Sequence, residues 1–551
     1  MTLQPQNEFA IPEETVRIAR AVYPKGNTYM KMRDALGTVY QDQSFAHLFP
    51  SNGRPVESPW RLALITVMQF MEELPDRQAA DAVRGRIDWK YALGLELTDP
   101  GFDFTLLSDF RKRLVQGGAE QVLLDAMLTL FKERGWLKER GKQRTDSTHI
   151  LAKIRAINRL LCVGEAMRFA LNSLAIVAGE WLLGQCEEGW VHRYGHRIEE
   201  ARLPSSRAER QSLAEVIGRD GADLLEAIFA PTAPPLLRQI PAVEILRQIW
   251  VQNYRWEDGQ LRWRSNEEIP PPARFISSPY DPEARYSKKR STTWVGYKIH
   301  LTEVCDEDRP HLITQVTTTP ASVADEAMVE VIHEALKQEQ LLPAQHLLDS
   351  GYITSQTLAR SQKDYDIEVV GPTRADYKWQ ASVFKGFDAS HFVIDWEAKQ
   401  ATCPEGQTSI SWTPALDNRK NEVIKIRFST RDCQNCPSQM QCTHSDSRAP
   451  RRLLTVRPQE QYEALQAARQ RQTTETFSKQ YAARSGIEAT ISQGVRALGM
   501  RRSRYIGLEK TSLQHLGTAA AFNVVRIVAW LDGDELAPTR ISAFQRLCNA
   551  A

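Results

Sequence analysis

The chain has 551 residues, 42% of them hydrophobic and 25% charged, with a formal net charge of +2. This is ordinary globular material in roughly three or four domains, and a net charge so near zero leaves any DNA-binding surface to local clustering rather than to overall basicity. No run approaches the roughly 18 apolar residues of a membrane span. The opening MTLQPQNEFAIPEE lacks the basic and apolar regions of a signal peptide, so the expected compartment is the cytoplasm.

In chain order, residues 1–137 read as helical. Ser58-Pro59 supplies an N-cap and a first-turn proline to WRLALITVMQFMEEL. Pro75 opens PDRQAADAVRG, Thr105 begins TLLSDFRKRLVQ, and EQVLLDAMLTLFKERGWL follows. Short helices with tight connections make either a helix-turn-helix-like DNA reader or a plain bundle, and composition does not separate the two. Residues 138–151 should hold a short strand ending at Asp146, followed by Ser147, Thr148 and His149. An Asx turn or a helix cap is the local alternative for that aspartate. Residues 152–256 are helical again and too long to join neighbouring strands of a minimal sheet, which makes them a helical insertion. Residues 257–290 form a polar connection, extended at Pro270-Pro271-Pro272. Its basic cluster, Lys288, Lys289 and Arg290, suits either a solvated loop or a loop over a DNA backbone.

Strand signals become clear over residues 291–375. TTWVGYKIHLTEVC alternates, HLITQVTTTP is a second strand, and DEAMVEVIHEALKQEQ is a helix. A strand over residues 344–348 leads into Asp349, a tight turn at Gly351 and a helix from about Thr354; DIEVVGPT is a further strand. Strand, strand and then βαβ-type alternation make an α/β sheet. Asp349 stands just past a strand's C-terminal end, where such folds place ligands. Residues 376–470 break the alternation with HFVIDWEAKQATC, TSISWTPAL and NEVIKIRFST, a β-rich insertion. Four of the eight cysteines cluster there: Cys403, Cys433, Cys436 and Cys442. A C-x2-C pair with two outlying cysteines can make a tetrahedral thiolate site for a structural zinc, with His444 able to replace one ligand. Reduced cysteines in a small β domain are the alternative. A disulfide framework is not expected in a large chain without a secretion signal. Residues 471–535 end in SLQHLGTAAAFNVVRIVAWL, an apolar core helix packed on the sheet, and residues 536–551 are a polar tail.

The stretch YAARSGIEATISQGVRALGMRRSRY, residues 481–505, reads as a helix with one acid on a basic face. At about 100° per residue, Tyr481, Arg484, Glu488 and Ser492 fall within about 60° of one another. Arg496 extends that face if the helix survives Gly494, and Arg501, Arg502 and Arg504 follow. Two readings stand: a solvated amphipathic helix with an Arg-rich end, or a site that holds a metal ion and a phosphodiester together.

The spacing Tyr481-x-x-Arg484-x-x-x-Glu488 resembles the Y-x2-R-x3-E signature of bacterial insertion-sequence transposases. SPYDPEARYSKKRSTTWVGYKIHLTEVC, GPTRADYKWQA and GMRRSRYIGLEKTSLQHLGTAAA are similar to sequences of the family called, in words, IS-eleven-eighty-two, and the resemblance spans nearly the whole chain. It departs at one place: the family usually has Lys seven residues after the Glu, where this chain has Val495 with Arg496 next to it. The resemblance implies an α/β fold with an RNase H-like catalytic core shared with retroviral integrases. It adds an N-terminal helical domain that helps bind the element's ends, a helical insertion, and a β-rich insertion before the catalytic Glu.

It further implies an acidic triad, Asp146, Asp349 and Glu488, holding two Mg²⁺ (or Mn²⁺) ions, with Asp146 bridging them. Such a pair, about 3.5–4 Å apart, serves both the attacking and the leaving oxygen of a phosphodiester, and hard ions of this kind take oxygen ligands. Water attack at the element's end would free a 3′-hydroxyl that then attacks target DNA. Tyr481, Arg484, Arg496, Arg501, Arg502 and Arg504 would hold DNA, with His149 and Lys298 near the site. The implied partners are double-stranded DNA, as terminal inverted repeats and as target, and a second copy of the chain on paired ends. The implied setting is a bacterial cytoplasm at the nucleoid, with no membrane. Two other classes compete: a relative that binds DNA without catalysis, and a hydrolytic nuclease on the same fold. Joining of a 3′ end to target DNA separates a transposase from a nuclease. Metal-independent binding without nicking marks the non-catalytic relative.

Overall fold

The computed structural model describes residues 10–50, 58–376, 378–382, 386–443, 449–534 and 543–550. Helices Glu13–Val22, Thr28–Leu36, Pro59–Met71, Asp76–Gly85, Ile87–Leu93, Thr105–Gln116 and Val122–Glu133 come first. Pro59 stands in the first turn of its helix as expected, but Ser58 makes no side-chain cap. The Asp42 carboxylate takes that part instead, accepting the Trp60 N–H at 3.0 Å.

Strand β1 (Lys142–Leu151) follows, then a helical lobe of Arg159–Leu183, Glu188–Tyr194, Arg207–Phe229 and Pro241–Asn253, closed by the hairpin β2 (Tyr254–Glu257) and β3 (Gln260–Trp263). The lobe has its own core, including Val163, Met167, Leu224, Leu246 and Ile249. Contrary to the sequence reading, Arg159–Leu183 is long and apolar enough to cross a membrane, yet half of its apolar stretch is buried in the protein. A buried core helix meets the same test of length and composition.

The chain returns to the sheet with β4 (Arg285–Lys289), β5 (Thr292–Val304) and β6 (Ile313–Pro320), followed by helix Met328–Gln338, β7 (Gln345–Leu348), helix Ser355–Tyr365 and β8 (Glu368–Val370). β1 pairs antiparallel with β5 and parallel with β7. β5 also pairs antiparallel with β6 and β4, and β7 pairs parallel with β8. The result is one mixed six-stranded sheet. β1 does not stop at Asp146. β5 carries its pairing on to Leu151, opposite Gly296. What stops is the other edge, where the register with β7 ends at Thr145 opposite Leu348. Asp146 is therefore the first residue of β1 beyond its parallel partner.

The insertion consists of the hairpin β9 (Val393–Asp395) and β10 (Gln400–Thr402) and a three-stranded sheet of β11 (Ser411–Leu416), β12 (Glu422–Arg427) and β13 (Leu453–Val456). Phe392, Ile426, Phe428 and Leu454 form its core. Helix Gln459–Gln472 leads back toward the sheet, and the apolar helix Leu508–Leu531 lies against it. There the Asn523 side chain accepts from the Ile313 N–H at 2.7 Å and donates to its carbonyl at 2.9 Å. One continuous core joins the N-terminal helices, the sheet and this last helix, through Trp60, Phe70, Phe131, Tyr297, Leu348 and Phe522 among others.

Candidate active site

Three acids meet at the open end of the parallel strands. Asp146 sits on β1 where β7 leaves it, and its Oδ1 accepts the Ser147 N–H at 2.7 Å. Asp349 follows Leu348 directly, and its Oδ1 accepts the Gly351 N–H at 2.8 Å. Glu488 lies in the first turn of helix Gly486–Ala497, where the helix dipole favours a carboxylate. The expected single helix over residues 481–505 is in fact two, Glu475–Ala482 and Gly486–Ala497, joined by a 3-10 turn at Ala483–Ser485. The second helix does pass through Gly494. Beyond it the chain crosses to β1, where Arg502 bridges Leu151.

The turn aims Arg484 into the middle of the acids. Its guanidinium lies 2.6 Å from Asp146 Oδ2, 2.6 Å from Glu488 Oε1 and 4.0 Å from Asp349 Oδ2. The buried Arg484 Nε has no hydrogen-bond partner among the described residues. Burial pushes the Asp146 carboxyl up to about 6, outweighing Arg484 and the Ser147 N–H, which pull it down. The carboxylates raise the Arg484 guanidinium in turn, against the effect of its own burial.

Among the described residues, no group of three or more His, Cys, Asp or Glu side chains is drawn close enough to hold an ion. At the acidic site the cation among the carboxylates is Arg484 itself. Three hard oxygen donors facing one positive group are the donor set that Mg²⁺ or Mn²⁺ requires, so these side chains fit such an ion once the guanidinium moves aside.

The remaining expected DNA contacts divide. Arg496 and Arg502 are exposed. Arg501 is engaged, donating to Thr148 Oγ1 at 2.8 Å and the His149 carbonyl at 2.6 Å. Arg504 donates to the Leu74 carbonyl at 3.2 Å and covers the Phe70 ring. Tyr481 stacks on Phe477, with ring centroids 5.7 Å apart, and packs against Cys305, Leu347 and Val370. Val495 packs on the main core, so the exposed cation of that turn is Arg496. His149 lies against the Trp294 ring, and Lys298 is tied to the Val323 carbonyl at 2.6 Å and to Asp325 at 3.0 Å.

The four insertion cysteines are free thiols that line one cavity of about 30 Å³. Burial pushes the Cys442 thiol up to about 11. Soft sulfur is the donor type that zinc takes, but the four thiols are not drawn together closely enough to hold an ion as they stand. His444 lies outside the described residues. Behind the acids, Arg144, Glu303, Thr490 and Arg526 form a buried polar group that no local sequence signal marks.

Acids from three distant segments are thus gathered at the end of a mixed sheet, with exposed arginines on the same stretch as Glu488. Family models match two parts of the chain. Residues 402–528 match the Transposase DDE domain, and residues 18–113 match a Transposase domain (DUF772). The two matches support a DDE transposase of an insertion sequence; the IS-eleven-eighty-two family fits them, but they do not single it out. A DDE domain implies an RNase H-like fold. The DDE match includes Glu488 and begins after Asp146 and Asp349. No curated protein matches the chain.

Proposed function

We propose that the protein binds the ends of an insertion sequence, cleaves phosphodiester bonds there with divalent metal, and transfers the freed 3′ end to target DNA. The observation that carries this reading is the convergence of Asp146, Asp349 and Glu488 on one guanidinium. These three acids would hold the Mg²⁺ or Mn²⁺ ions, which supply an activated attacking oxygen and a stabilised leaving oxygen. Arg484 balances the carboxylates until a phosphate or an ion replaces that balance, and then turns to the DNA backbone. Arg496 and Arg502, exposed on the same stretch, take backbone phosphates; contacts of this kind position DNA without reading its sequence. Arg501 and Arg504 act by holding β1 and the Leu74 loop in place. The N-terminal helices bind the element's ends, the four cysteines hold a structural zinc, and two copies assemble on paired ends at the nucleoid.

The test uses wild type and Glu488→Gln with element-end DNA, a supercoiled target and Mg²⁺, scored for nicking and strand joining. The expected result is that both bind DNA and only the wild type cuts and joins. A variant that cuts and joins like the wild type refutes the triad. DNA binding without nicking by the wild type identifies the non-catalytic relative instead.

A further inference from the structure

Glu303 is fully buried, at 0% exposure, in a strand whose neighbours are mostly apolar or hydroxylic. It lies on β5 where the register with β6 shifts, an irregularity of the kind that re-aims a side chain. Its carboxylate accepts three groups from three different segments. Arg144 Nε donates at 2.7 Å from the facing position on β1. Thr490 Oγ1 donates at 2.7 Å from the helix that carries Glu488. Arg526 Nη1 donates at 2.6 Å from the last long helix. Arg526 also donates to Thr490 Oγ1 and to the His311 carbonyl, both at 2.6 Å.

Arg144 extends the link. It donates to the Ala483 carbonyl, in the turn that carries Arg484. Its guanidinium lies flat against Gly486, where a Cβ would come within 2.2 Å of Nη1. Arg144 and Asp146 alternate onto the same face of β1. A single carboxylate thus ties the strand of Asp146, the turn of Arg484 and the helix of Glu488 together. Two guanidiniums on one buried carboxylate confer little net stability compared with an apolar cluster of the same volume. What the ion cluster supplies instead is fixed geometry.

We propose that Glu303 is a positioning residue for this reaction: through Thr490 and Arg144 it sets the place of Glu488 relative to Asp146, and so tunes the acids' hold on divalent metal. The proposal rests on the transposase reading above. Glu303 is fully buried and is not one of the three acids that would hold the metal. Partners behind metal ligands change metal affinity or activity by about 10–100-fold.

The experiment uses the full chain as wild type, Glu303→Gln, Thr490→Val, Thr490→Ser and Glu488→Gln. Mn²⁺ affinity is read by electron paramagnetic resonance, end-DNA binding by gel shift, and folding by thermal unfolding. Thr490→Val removes one hydroxyl and keeps the shape, so it carries the test if Glu303→Gln does not fold. The expected result is Mn²⁺ binding weakened about tenfold or more in Thr490→Val and Glu303→Gln, DNA binding retained, and affinity restored by Thr490→Ser. Unchanged Mn²⁺ affinity in Thr490→Val and in any folded Glu303→Gln, with Glu488→Gln impaired, overturns this proposal alone. Equal Mn²⁺ affinity in wild type and Glu488→Gln refutes the transposase reading, and the proposal with it.

Discussion

Replacing Arg484 with methionine removes a charge and keeps most of the side chain's length. The Arg484 and Asp146 side chains are 11% and 12% exposed, and deleting one partner of a pair so buried costs about 3–5 kcal/mol. The arm to Glu488 adds little, because that carboxylate is 65% exposed and exposed pairs at this spacing contribute about 0.3–0.5 kcal/mol. The arm to Asp349, at 4.0 Å with that side chain 28% exposed, is the weaker of the two inner contacts. Arg484→Met should therefore unfold at a clearly lower temperature than wild type in the presence of a chelator. Its three unbalanced acids should then gain more from Mg²⁺ or Mn²⁺ than the wild type, whose guanidinium must first be displaced. The assay is thermal unfolding of both proteins with chelator and across a metal titration. It is read as shifts of each transition, because a chain with separate cores does not unfold in one step. A variant as stable as wild type in chelator, or one that gains less from metal, refutes the argument that Arg484 stands in for the cation.

Three further outcomes are expected. Burial, reinforced by Glu339, pushes the Asp125 carboxyl up to about 7. The native protein therefore holds a proton that the unfolded chain has released between about pH 4 and 7, and stability falls as pH rises through that window. Asp125→Asn escapes this loss, so its advantage in thermal unfolding should grow from pH 4 to 7 and level off above; a pH-independent difference would count against it. A Cβ at Gly517 would sit 2.4 Å from Phe70 Cδ2 inside the main core, so Gly517→Ala should destabilise by about 1–3 kcal/mol, and an unchanged unfolding temperature would show that Phe70 yields freely. Protein purified under reducing conditions should carry one zinc ion per chain by elemental analysis, lost in Cys436→Ser; metal-free wild type would leave the cysteines as plain thiols.

The strands that alternate apolar and polar residues were legible, as was Asp349, which follows a short buried strand. β1 was legible only in part: a strand was expected up to Asp146 but runs on to Leu151, and its polar interior gives no apolar pattern to mark its length. Thr145 bonds Thr302 and His346, and Gln143 bonds Thr314 and the Leu341 carbonyl. Partners across the sheet satisfy these side chains, so no apolar pattern is needed to bury them. β4, reading RYSKK, is a polar edge strand that looks like loop. The 3-10 turn at Ala483–Ser485 divides the expected single helix in two, yet Arg484 stays within 2.6 Å of Glu488, as simple helical spacing assigns. Arg501 and Arg504 read as free cations because a charge run does not reveal which carbonyls lie in reach. Glu303 is one acid in a β-rich strand, and its significance lies in three donors that arrive from distant segments.

The way β1 is paired sets the order in which function can appear during synthesis. β1 emerges from the ribosome early but finds β5 and β7 only after the whole helical lobe has been made. Glu488 comes later still, and the helix that completes the core, with Trp530 against Trp136 and Asp532 paired to Lys31 at 2.7 Å, comes almost last. At about 5–20 residues per second, the early strand waits many seconds for its partners. A chain broken off before residue 508 lacks the Leu508–Leu531 helix and Arg526, and with them the support beneath Glu488. Incomplete products of translation therefore lack contacts, through Arg526, that set Glu488 against Asp146.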